Sequence, residues 1–229
     1  ICDTRFTPTL NFNEIFNFAK SDFTKVKELQ LLMEKIMKHI LKQSKKFNLE
    51  NSFHLHMMPN LGLRDGMEIM KYASEKQFGT TDIQFIINGA IKEAGLLFLL
   101  NKYISSKNGL YPFGENFNVR TAPKKLNELV KLCKEKIPMD QMPLLIGIGD
   151  TVTSTQDNKT KSWLRGGSDR GFLTLIQRLG REYQKENTVI FVNSCNEQVS
   201  RPRVEGSDMS GISDPNDDLK FNMIINNGP

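Results

Sequence analysis

"PLLIGIGDTVTSTQD", Pro143 to Asp157, joins an apolar run to a polar tract with one carboxylate at the junction. Leu144, Leu145, Ile146, Gly147 and Ile148 read as a strand, which stops at Gly149–Asp150 before Thr151, Thr153 and Ser154. A near-continuous apolar strand belongs in a parallel sheet covered on both faces. Ligands of open parallel sheets bind beyond the carboxyl ends of the strands. Asp150 is therefore expected at such an end, with Gly147 and Gly149 thinning the backbone where another group approaches. A carboxylate rimmed by hydroxyls suits Mg²⁺ shared with waters and a substrate phosphate. An Asp that bonds its own turn is the plainer alternative.

The flanks extend the α/β reading. "APKKLNELVKLCKEK" is a helix with Pro123 in its first turn, after the strand candidate "FNVRT". "WLRGGSDRGFLTLIQRLGREYQKEN" becomes helical from about Gly171, "TVIFVNS" is a strand, and "DLKFNMII" is the last one. Strand, helix, strand, helix, strand implies a mostly parallel sheet. Upstream, "KVKELQLLMEKIMKHILKQSKK" places Val26, Leu29, Leu32, Met33, Ile36, Met37, Ile40 and Leu41 at helical spacing, with Ser21 or Asp22 as its cap. A short helix is expected over Phe12–Ala19, and "NSFHLHMM" as a strand stopped by Pro59. "LRDGMEIMKYASEKQ" reads as a helix, and "TTDIQFIINGAIKEAGLLFLLNKYI" as one helix bent at Gly89 or Gly95. The turn-rich "SSKNGLYPFGENF" marks a boundary, giving a helix-rich region over residues 1–110 and an α/β region over 111–229.

Composition narrows the function classes. With 38% hydrophobic and 25% charged residues, the chain is of the folded, soluble kind. The net charge of +5 is carried largely by lysines on solvated helix faces. No basic strand interleaved with aromatics is present, so nucleic acid is not an expected partner. No run is long enough to span a bilayer, and no secretory pattern is seen. Cys2, Cys133 and Cys195 are widely spaced, which points to a reduced, cytoplasmic setting. The first residue is Ile, and the last strand stops just short of Pro229, so a piece of a longer protein is expected. His54 and His56 share a strand face without a third ligand nearby and are expected at a solvent-facing edge. Cys133 and Met33, Met37, Met57 and Met58 are expected to serve packing.

Two further features bear on chemistry. Lys124 and Lys125 stand in the first turn of a helix, where the dipole disfavours cations. Neutralising a phosphate would explain them, and a solvated lysine pair is the alternative. In "GGSDRG" (Gly166 to Gly171), glycines before a helix expose amides to an anion, while Asp169 and Arg170 could hold sugar hydroxyls or phosphate. The alternative is a loop whose Asp169 caps the helix. Trp163 offers an aromatic face to a sugar ring, and Arg165 competes with Arg170 as the anion-binding arginine.

A helix-opening lysine followed by an apolar strand ending in Gly-Asp resembles the second half of a haloacid dehalogenase-like phosphatase. "FNVRTAPKKLNELV", "LLIGIGDTVTS", "WLRGGSDRGFLTLIQ" and "ISDPNDDLKFNMII" together resemble the cyanobacterial glucosylglycerol-phosphate phosphatases of salt tolerance. The resemblance implies the C-terminal part of a Rossmannoid parallel-sheet core with a helix-rich cap. It also implies a Mg²⁺-dependent phosphoric monoester hydrolase, with glucosylglycerol 3-phosphate as substrate in osmolyte synthesis. Carried onto residues, Lys125 or Lys124 stabilises the phosphate and Asp150 binds the metal. Ser154 or Asp157 competes for the second metal position, and Thr151, Gly167 and Ser168 join Trp163, Arg165, Asp169 and Arg170 at the substrate. The family's nucleophile is an Asp-x-Asp motif, and none occurs between Ile1 and Pro229. Residues 1–229 alone are therefore expected to be inactive.

Overall fold

The computed structural model describes residues 2–4, 7–11, 22–58, 60–64, 67–73, 79–157, 160–192 and 214–225. The helix expected over Phe12–Ala19 lies outside them. Asp22 opens the longest element by accepting the amides of Thr24 (3.1 Å) and Lys25 (3.3 Å), as an N-cap does. Helix α1 (Phe23–Lys46) follows and ends with Lys45 and Lys46 at its negative pole.

The chain then lays down strands. In order they are β1 (Cys2–Thr4), β2 (Thr7–Asn11), β3 (Phe53–Met58), β4 (Asn60–Arg64), β5 (Met67–Met70) and β6 (Asp82–Ile87). Strands β1, β2, β6 and β3, in that order, form an antiparallel sheet, and β4 pairs with β5 as a hairpin. Val26 and Met33 of α1 are fully buried with Met57, Met70, Ala73 and Ile83. Gln30, also buried, satisfies three backbone groups of the neighbouring segment: the carbonyls of Lys71 (3.0 Å) and Thr80 (3.4 Å) and the amide of Ala73 (2.7 Å).

Two helices expected from the sequence are thus strands in whole or part. Leu63 and Arg64 end β4, and Met67–Met70 is β5. Asp82–Ile87 is a strand because β2 and β3 flank it on both sides, giving its backbone groups partners that a helix would have to supply internally. The turn Asn88–Gly89, with Gly89 at φ 94°, separates it from α2 (Lys92–Asn108). The described part of residues 1–110 therefore holds six strands beside its two long helices.

Helix α2 ends at Gly109 in the left-handed region, φ 77°. "FNVRT" forms turns, not a strand: Asn118 accepts the Arg120 amide and the Thr121 hydroxyl. Next come α3 (Leu126–Lys136), β7 (Ile146–Gly149), the hairpin β8 (Thr153–Gln156) with β9 (Trp163–Gly166), α4 (Arg170–Glu182), β10 (Thr188–Val192) and β11 (Met223–Ile225). Strands β11, β10 and β7 form a parallel sheet in that order, as the α/β pattern requires. Helices α2, α3 and α4 share a core that includes Leu97, Leu129, Cys133, Leu175 and Leu179.

Helix α4 lies on one face of the parallel sheet. A Cβ on Gly147 would stand 2.7 Å from Ile176 Cδ1 and 2.9 Å from Leu173 Cδ2, so this glycine sets how closely α4 docks. Val189 and Phe191 share that buried face. The opposite face carries Ile146, Ile148, Met223 and Ile225, all exposed, so among the described residues the strand expected to be covered on both sides is covered on one. Among the described residues, no helix is long and apolar enough to cross a membrane.

Candidate active site

The carboxyl end of β7 is organised by a single buried side chain. Asp169 Oδ2 accepts the backbone amides of Asp150 and Thr151, each at 2.9 Å. In return the Asp169 amide donates to the Thr151 carbonyl at 3.1 Å. Thr151 Oγ1 donates to Asp150 Oδ1 at 2.7 Å, which orients that carboxylate. The glycines make this approach sterically feasible. A Cβ on Gly149 would lie 2.8 Å from Asp169 Cβ. Gly167 has φ 101°, and a Cβ there would sit 2.2 Å from the Thr151 carbonyl oxygen.

Asp169 is only 4% exposed, and its charge is met by an ion pair with Lys92, the first residue of α2. Lys92 Nζ also lies 3.4 Å from Ser168 Oγ. The carboxylate thus neither caps its own helix nor stands open to substrate as a lone group. It joins the β7 turn, the loop before α4 and the start of α2.

The two arginines expected at the substrate are engaged with a second acidic segment. Arg165 donates to Asp214 Oδ2 from Nε (2.9 Å) and Nη2 (2.6 Å), and to the Asn216 carbonyl at 3.1 Å. Arg170 Nη1 holds both oxygens of Asp217, at 2.9 and 2.7 Å. Burial alone would raise the Asp214 carboxyl. The Arg165 hydrogen bonds, the Asn216 amide and the nearby positive charges outweigh it and hold the group below the usual carboxylate range. These pairs pin residues 214–220 beside the site.

The remaining expected residues are distributed more widely. Ser154 Oγ accepts the Asp214 amide at 3.1 Å. Asp157 accepts the Thr160 amide in the turn of the β8–β9 hairpin, at the end remote from Asp150. Trp163 is half-buried in the same hairpin, opposite Gln156. Lys124 Nζ reaches Asn88 Oδ1 at 2.6 Å, in the turn before α2. Lys125 occupies the N-cap position of α3, and its exposed side chain lies 3.7 Å from Glu128. The structure therefore gathers Asp150, Thr151, Gly167, Ser168 and Asp169, with Arg165 and Arg170 alongside. It directs Ser154, Asp157 and Lys125 to other contacts.

A cavity of about 590 Å³ opens beside this cluster, between the loop Gly166–Gly171 and the antiparallel sheet. His56, Glu68, Lys92 and Glu93 line it, and sequence reasoning passed over all but His56. His56, expected at a solvent-facing edge, is buried. Burial raises the Glu93 carboxyl, whose oxygen packs against the first turn of α4: a Cβ on Gly171 would stand 1.5 Å from it. Lys92 carried a readable signal, since a lysine in a first helical turn opposes the dipole as at Lys124. It was missed because the helix start was set ten residues early. A smaller cavity of about 240 Å³ touches Asn187 and Asn222, just before β10 and β11, at the opposite end of the sheet from Asp150.

The donor set at the end of β7 suits a hard divalent cation. The Asp150 carboxylate stands on the turn, oriented by the Thr151 hydroxyl, and the Asp169 carboxylate lies against the same turn, bonded to its two amides and to Lys92. Mg²⁺ takes one or two carboxylates and completes its shell with water and substrate phosphate. Among the described residues no three His, Cys, Asp or Glu side chains cluster as a closed cage.

The model of the glucosylglycerol-phosphate phosphatase family matches residues 1–229. A glucosylglycerol-phosphate phosphatase of Synechocystis sp. is 41% identical over 201 residues, which cover 87% of this chain and 47% of that protein. The chain thus spans about half the length of the curated relative it matches. No solved structure matches it.

Proposed function

The chain belongs to the glucosylglycerol-phosphate phosphatase family, and from that premise we propose that the intact protein hydrolyses the phosphomonoester of glucosylglycerol 3-phosphate. Its product would be the neutral glycoside, a compatible solute. The core is read as haloacid dehalogenase-like, and the observation that carries the reading is Asp150 at the carboxyl end of a parallel strand, oriented by Thr151 and braced by Asp169. Asp150 and Asp169 would hold Mg²⁺, with Asp169 taking the second acidic position that lay between Ser154 and Asp157 in the sequence reading. When bound, the ion would offset charge on the transferring phosphoryl group.

The chain's own residues would divide the remaining tasks. Lys92 holds Asp169, and Lys125, beside Glu128, or Lys124, tied to Asn88, would stabilise the phosphate. Arg165 and Arg170 fix the acidic segment 214–217 and thereby the loop Gly166–Gly171. The nucleophilic aspartate would come from sequence outside residues 1–229. The absence of Asp-x-Asp and the partial span of the relative support this. Among the described residues β7 pairs with β10 alone, which leaves its other edge for a further strand.

Phosphate release from glucosylglycerol 3-phosphate, with and without Mg²⁺, tests the reading on the intact protein. Turnover should require the metal and fall about a hundredfold to a thousandfold in Asp150→Asn, on the order of what removing a charge-stabilising group costs. Equal activity in that variant, or robust turnover by residues 1–229 alone, would overturn it.

A further inference from the structure

The cavity beside the loop Gly166–Gly171 holds a polar group that the phosphate chemistry leaves unused. His56 is 8% exposed, and its Nε2 is buried without a hydrogen-bond partner. The other ring nitrogen is firmly held: Nδ1 lies 2.6 Å from Glu68 Oε1. Glu68 is anchored in turn, since its Oε2 accepts the Met57 amide at 2.6 Å and Asn60 Nδ2 at 3.2 Å. A carboxylate can only accept, so Nδ1 carries the proton, and in that neutral tautomer Nε2 presents a lone pair. A buried polar group left unpaired in this way is destabilising. Such a cost is tolerated where a ligand supplies the missing partner.

The rest of the lining says which ligand. The cations identified there have internal counter-charges, and the Glu68 carboxylate is taken up by His56 Nδ1, the Met57 amide and Asn60. Lys92 is paired with Asp169, Arg165 with Asp214, Arg170 with Asp217, and burial raises the Glu93 carboxyl. The other lining groups include Met58, Ile86, Ile91 and the glycines Gly62, Gly166 and Gly167. Compensated charge, apolar wall and one oriented acceptor select an uncharged ligand that brings hydroxyl donors.

We propose that this cavity binds the neutral, hydroxyl-rich part of the substrate, and that His56 Nε2, oriented by Glu68, accepts a hydrogen bond from one of its hydroxyls. The proposal rests on the phosphatase reading and adds to it the site of the non-phosphorylated half. Lys92 couples the two, because the same ammonium lines the cavity and holds the carboxylate that braces the Asp150 turn.

Titration of the intact protein with glucosylglycerol, which bears no phosphate, tests the site apart from catalysis. The His56 Hε1 proton resonance should shift saturably with the glycoside. His56→Leu should weaken binding about tenfold to a hundredfold, as expected where a buried polar contact to a hydroxyl is lost. Glu68→Gln should weaken it less, because it releases the ring but leaves Nε2 in place. In kinetics, the ratio of kcat/KM for glucosylglycerol 3-phosphate to that for an aryl phosphate should fall by the same factor in His56→Leu, chiefly through KM. Saturating binding without movement of the His56 resonance, or no binding of the glycoside at all, overturns the proposal. Should His56→Leu fail to fold, the wild-type resonance alone decides. Failure of the phosphatase reading shows separately, as no phosphate release from the aryl phosphate.

Discussion

Asp169 holds more of the site together than any other side chain, and its substitution separates its roles. Asp169→Ala would leave two backbone amides without an acceptor and Lys92 without its partner. Removing one member of a largely buried charged network costs about 3 kcal/mol, or somewhat less here because Lys92 is half-exposed. Asp169→Asn keeps an acceptor oxygen for the amides, so urea unfolding should rank the wild type above Asn and Asn above Ala. Asp214 supplies a second test. Its folded value is held below the ordinary carboxylate value of about 3.9, so the stability it contributes is fully present above that pH. That contribution is lost as pH falls through the depressed folded value. Arg165→Ala removes the main favourable partner, and the fall in melting temperature between pH 5 and pH 2.5 should become shallower.

At the level of elements, backbone clearance and sheet facing make the sharper predictions. Gly167→Ala would place a methyl group against the Thr151 carbonyl at a φ of 101°, combining a steric clash with left-handed strain. A loss of at least about 2 kcal/mol in urea unfolding is expected, since either effect alone is worth about 1–3 kcal/mol. The parallel sheet predicts an asymmetry between neighbouring positions. Val189 is fully buried under α4, whereas Ile148 on the other face is 59% exposed. In residues 1–229, Val189→Ala should cost about 2 kcal/mol and Ile148→Ala no more than about 0.5 kcal/mol. Similar losses at both positions would mean that the second face is also covered. The elements themselves were legible where one local pattern dominated. The cap at Asp22, the stripe of α1, and the strands around Ile148 and Phe191 all follow from nearest-neighbour periodicity. Asp82–Ile87 was not legible, because its apolar run suits helix or strand alike. The choice between them was made by β2 and β3, which come from distant segments.

For the molecule as a whole, Cys133 reports on global integrity. It lies in the core shared by α2, α3 and α4, and burial pushes its thiol up to about 12. In a Cys2→Ser/Cys195→Ser background it should resist alkylation at pH 8 and react only at the rate of unfolding in urea. Rapid labelling in native buffer would show that this core opens locally.

Sequence alone determined the α/β order of the C-terminal half and the place of Asp150 at a strand end, because hydrophobic runs and Gly-Asp boundaries act over a few residues. The expected approach at Gly147 and Gly149 was likewise local in origin, and α4 with Asp169 is what approaches. Only the tertiary structure decided that Asp169 would be the brace, Lys92 its counter-charge, and His56 a buried acceptor rather than an edge residue. Those assignments depend on contacts between residues 12 to 77 positions apart. No local pattern encodes which distant carboxylate will meet a given amide or ring. The meeting is set by how the antiparallel sheet, α2 and the loop before α4 pack around a common cavity.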